Sequence, residues 1–91
     1  MKESILVNPE ILDLISLDFE IIESNDLCVN MDKDIGNDRF ITLYIYGINE
    51  YYLSLYEFQY YKGNVALYSN EITDIKHLKN AINWLIKKYG K

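Results

Sequence analysis

Between Arg39 and Phe58 the chain alternates side chains with a period of two, on both sides of a Gly47-Ile48-Asn49 turn. Strand side chains point alternately to opposite faces, so this pattern specifies two paired strands with chemically different faces. One face of the first segment carries Ile41, Leu43 and Ile45; the other carries Phe40, Thr42, Tyr44 and Tyr46. In the second, Tyr51, Leu53 and Leu55 oppose Tyr52, Ser54, Tyr56 and Phe58. A helical packing layer belongs on the aliphatic face. The tyrosine-rich face is expected to stay open.

Further strands extend the pattern. Phe19 and Ile21 alternate with Glu20, and Leu27, Val29 and Met31 alternate with Cys28, Asn30 and Asp32, with Asn25-Asp26 as turn chemistry between them. Asp32 to Asp38 reads as a polar loop. Lys62-Gly63-Asn64 reads as a turn into a last strand, Val65 to Ser69, in which Val65 and Leu67 oppose Ala66 and Tyr68. Short connections between successive strands imply an antiparallel meander.

Two helices are expected to flank this sheet. Asn8-Pro9-Glu10 offers an N-cap, a proline at the first helical position and an acid in the first turn, ahead of Ile11, Leu12, Leu14 and Ile15. This helix is expected to stop near Ser16 or Leu17, although a continuation to Glu23 fits the sequence too. The second spans roughly Asp74 to Tyr89, capped by Thr73 or Asn70. Its apolar stripe is Ile75, Leu78, Ala81, Ile82, Leu85, Ile86 and Tyr89, and Gly90 closes it. The expected architecture is one α+β domain over residues 1–91: a four- to five-stranded antiparallel meander with the N- and C-terminal helices packed on one face.

Charge is unevenly spread. Residues 1–38 hold ten acids against two bases, a net −8; residues 39–91 hold four acids against seven bases, a net +3; the chain totals −5. Such an acidic front half repels phosphate and attracts basic partners, and it also keeps a small protein soluble. Cys28 is the single cysteine, so no internal disulfide can form and a reducing, cytoplasmic setting is expected. The N-terminus does not read as a signal peptide. No apolar run approaches the roughly 20 residues that span a bilayer. Asn, Ile, Lys and Tyr are abundant, a bias typical of AT-rich coding sequence in bacteria, phages and mobile elements.

No catalytic constellation stands out. His77, the single histidine, has no Cys or Ser partner in the pattern, and Cys28 has acidic neighbours in sequence that disfavour a thiolate. Asp32-Lys33-Asp34-Ile35-Gly36-Asn37-Asp38 has a calcium loop's composition without its spacing: the fifth position lacks an oxygen ligand, the glycine comes one place early, and Leu43 stands where the bidentate Glu belongs. Catalytic residues, metal ligands and cofactors are therefore expected to be none. Direct nucleic-acid binding is not expected either, because the charge is wrong for phosphate and the basic RNA-recognition signature is missing.

The remaining expectation is a binding protein. Asp32, Asp34 and Asp38 are the candidate acids, and Tyr44, Tyr46, Tyr52, Tyr56 and Tyr68 the candidate anchors, because tyrosine gives large, rigid, amphipathic contact area. The expected partner is a basic protein, one that handles nucleic acid being the natural case. The chain would block it as inhibitors of antitoxin, immunity or phage anti-defence type do, with carboxylates standing where phosphates would. The alternative is a homodimeric assembly protein that pairs through the tyrosine face.

Overall fold

The computed structural model describes residues 19–24, 28–47 and 49–90. Five strands, β1 (Glu20–Ser24), β2 (Val29–Gly36), β3 (Arg39–Gly47), β4 (Glu50–Gln59) and β5 (Gly63–Ile72), are followed by one helix, α1 (Ile75–Tyr89). The strands pair antiparallel in the order β1-β2-β3-β4-β5, which is the expected meander. The expected N-terminal helix and the Asn25-Asp26 turn lie outside the described residues.

The aliphatic face forms the core. Val29 and Met31 on β2, Ile41, Leu43 and Ile45 on β3, and Tyr51, Leu53 and Leu55 on β4 are all buried. Leu78, Ile82 and Leu85 of α1 join the same cluster, one helical turn apart, so the stripe read from sequence is the stripe that packs. Burying a leucine side chain of this kind stabilises by roughly 1.5–3 kcal/mol. Asp74 caps α1, its carboxylate accepting from the Lys76 amide at 3.2 Å. The cap is therefore neither Thr73 nor Asn70: Asn70 is still part of β5. Gly90 ends the helix, and a Cβ there would collide with the Ile86 carbonyl oxygen. No described helix is long and apolar enough to cross a membrane.

Three local readings change. The Asp32–Asp38 segment is not a loop, because β2 runs to Gly36 and only Asn37 and Asp38 turn. Both turn residues have positive φ, 59° and 60°, the backbone of a tight hairpin in which Asn and Asp are tolerated. Aspartate suggests a loop because acids are rare in strands, yet Asp32 and Asp34 lie on the face turned away from the core, where the sheet tolerates them. The second turn comes earlier than expected, at residues 60–62, and β5 begins at Gly63.

The third change is Tyr68. A register shift between Leu55 and Tyr56 pairs Leu55 with Tyr68 but Tyr56 with Ala66. The additional residue in β5 reverses the alternation, as a bulge does. Tyr68 therefore lies on the aliphatic face, packed against the core, with its ring 6.1 Å from that of Trp84. It is not part of the open face.

Candidate docking face

The antiparallel register aligns the face opposite α1 into cross-strand rows. The central row is Glu20, Asp32, Thr42, Ser54 and Ser69, one residue from each strand. On one side runs Asp34, Phe40, Tyr56 and Ala66; on the other runs Glu23, Asn30, Tyr44, Tyr52 and Glu71. Small polar residues thus lie between two aromatic ridges. The arrangement follows from period-two alternation on strands about 4.8 Å apart.

The ridges are partly ordered by ring contacts. Phe40 and Tyr56 stack across β3 and β4 with centroids 5.5 Å apart, and Tyr44 stacks with Tyr46 at 6.1 Å. Thr42 and Ser54 are only 5% and 1% exposed, and no described helix covers them. Their row is the floor of a trough. The Ser54 and Ser69 hydroxyls hydrogen-bond at 3.2 Å along that floor. The crests are wet: Tyr46 is 54% exposed, Phe58 52%, and Tyr52 is also exposed.

A cavity of about 320 Å³ occupies the trough, lined by Asn30, Asp32, Phe40, Thr42, Tyr44, Tyr56 and Asn64. A larger groove of about 540 Å³ continues to the β2–β3 hairpin, where Glu20, Asp32, Asp34 and Asp38 meet Ile22, Phe40 and Phe58. Arg39 borders this groove, but its guanidinium is engaged elsewhere: Nε donates to Glu57 Oε2 at 2.7 Å and Nη1 to the Tyr89 carbonyl at 3.0 Å. At the far end Glu50 and Glu71 flank Tyr46 and Tyr52.

Sign of charge therefore separates by face. Among the described residues, no strand position on the aromatic face carries Lys or Arg. Lys33 and Arg39 take aliphatic-face positions, Lys76, Lys79, Lys87 and Lys88 are on α1, and Lys62 is in the β4–β5 turn. The described acids of the front half, Glu20, Glu23, Asp32, Asp34 and Asp38, lie on this face or at its hairpin end.

Burial, and after it the neighbouring Tyr56, Tyr46, Asp32 and Cys28, push the Tyr44 phenol above its ordinary 10.0, so it remains a neutral donor over the physiological range. Burial also raises the Cys28 thiol above 9.0, opposed by a backbone hydrogen bond with Ile45 and aided by Glu23. His77 is exposed on α1.

Of the expected residues, Asp32, Asp34, Tyr44, Tyr46, Tyr52 and Tyr56 share the one face, Asp38 sits at its hairpin end, and Tyr68 does not belong. Glu20 and Ile22 also line the groove, and alternation along β1 alone does not nominate them. Asn30 shares this face with Asp32, as alternation implies, and lines the same cavity. No family model, no curated protein and no solved structure matches the chain, so the functional reading rests on this face alone.

Proposed function

We propose that the aromatic, acidic face is a docking surface for a basic protein, and that the chain acts as a stoichiometric binder that blocks that partner. The observation that carries this is the separation of charge: exposed rings and at least six carboxylates share a face on which no described strand position is cationic. Carboxylates would speed encounter, and the rings would hold the complex by burying area. A protein that handles nucleic acid is the natural target, since its cationic surface is built for phosphates. The same charge disfavours pairing of two copies through this face, because an isologous contact would bring acids against acids.

The test begins with the partner recovered by affinity capture from the producing cell. Association is then measured against salt for the wild type and for Asp32→Lys, Asp34→Lys and Asp38→Lys combined, which takes the net charge from −5 to +1. The variant should associate at least about tenfold more slowly at low salt and nearly normally at high salt, where exposed charges are screened within a few Å. A partner whose binding ignores both the substitutions and the salt would overturn the reading.

A further inference from the structure

Two side-chain acceptors in the trough have no hydrogen-bond partner. Asn30 Oδ1 and Asp32 Oδ1 are both closed off from water and both unpaired. A buried acceptor left this way is unfavourable, and more so when it is charged. The two residues are neighbours on one face of β2, about 6.6 Å apart along the strand. Phe40, Tyr44 and Tyr56 border the same cavity, whose volume of about 320 Å³ exceeds that of any single side chain.

We infer that this trough is an anchor pocket for one arginine side chain of the partner. This rests on the docking reading above and names the chemistry its centre recognises. A guanidinium offers five donors in a flat fork, so it can serve separate acceptors on Asn30 and Asp32 together, while its plane lies against the aromatic rings. A lysine ammonium offers a compact, strongly hydrated charge that matches neither the spread of the acceptors nor the flat walls. Turning the Asn30 amide about χ2 brings its covered Oδ1 to the cavity, and the Asp32 carboxylate meets the guanidinium through Oδ2, which is not closed off. Glu20, paired across from Asp32, and Asp34, two residues along β2, add long-range attraction at the mouth.

The probes are blocked hexa-arginine and hexa-lysine peptides, titrated into the labelled protein at low salt while amide shifts are followed. Both should bind the acidic face, and the arginine peptide should bind at least about fivefold more tightly, with its largest shifts at Asn30, Asp32 and Thr42. Asp32→Asn should bring the arginine peptide down to the lysine level. Glu71→Gln, on the same face but outside the trough, should weaken both peptides by one common factor. Asn30→Ala reads the same selectivity should Asp32→Asn unfold the protein. Equal, salt-dependent binding of the two peptides would overturn the pocket and leave the docking face standing. So would selectivity that survives both trough substitutions. Binding of neither peptide would overturn both.

Discussion

Arg39 Nε donates to Glu57 Oε2 at 2.7 Å on the side of the sheet opposite the stacked Phe40 and Tyr56. Arg39 is the one arginine of the chain, and its neighbour in sequence, Phe40, faces the other way. A single step of strand alternation therefore sends the guanidinium to the helix side, where it also meets the Tyr89 carbonyl and stands 5.3 Å from the Tyr89 ring centroid. The contact ties β3 and β4 to the end of α1. It also keeps a cation off the acidic face.

This pair gives a pH signature. Hydrogen bonds, first from Arg39 and then from Gln59, hold the Glu57 carboxyl below its ordinary 4.5. A depressed folded value means the stabilisation is complete above the unfolded pKa and fades as pH falls through the folded one. Glu57→Gln should therefore be less stable than the wild type at pH 7, with the gap closing under acid. Urea unfolding of both proteins at neutral and acidic pH checks this; a gap that widens in acid would contradict it.

Core and crest substitutions should separate. Leu53→Ala and Leu85→Ala each remove a fully buried side chain and should cost about 2–5 kcal/mol. Tyr68→Ala should cost about 1–3 kcal/mol and leave partner contacts intact, because its ring packs on the core and Trp84. Phe58→Ala, on an exposed crest, should change stability by less than about 0.5 kcal/mol. Thermal and denaturant unfolding measure all four. Binding loss without stability loss in Tyr68→Ala would return that residue to the docking face.

Tyr68 also marks where the sequence stopped being legible. The meander, the aliphatic face and the α1 stripe follow from periodicity alone, because Ile41 to Ile45 and Leu78 to Leu85 repeat without interruption. A bulge adds one residue and leaves no compositional trace among Val65, Ala66, Leu67 and Tyr68, so simple alternation carried Tyr68 to the wrong face. Asp32 and Asp34 disguised a strand as a loop, since their side chains enter no core. The unpaired oxygens of Asn30 and Asp32 depend on where neighbouring strands place their donors, which one strand's pattern does not encode.

The β2–β3 hairpin allows stability and binding to be moved in opposite directions. Asp38 holds a left-handed backbone, φ 60°, at the second turn position, where glycine is favoured. Asp38→Gly should relieve that conformation and raise stability by up to about 1 kcal/mol, while removing one carboxylate from the groove and slowing association. Denaturant midpoints and association rates check the two effects. A variant that is less stable and binds normally would contradict both.

Self-association should be weak and should rise with salt. Two copies meeting through the acidic face repel at low ionic strength, and screening shortens that repulsion to about 10 Å at 0.1 M. Sedimentation should give a monomer of 10.8 kDa at low salt. A dimer that persists unchanged from low to high salt would favour the assembly alternative.

The central claim concerns which side of the sheet meets the partner, and cross-saturation of the amides in the bound complex reads this directly. The account predicts transfer to Asn30, Asp32, Thr42, Tyr44, Tyr52 and Tyr56, with little reaching the exposed side of α1 at Lys76, His77, Asn80 and Lys87. Transfer concentrated on that side of α1, with the trough residues unaffected, would contradict it.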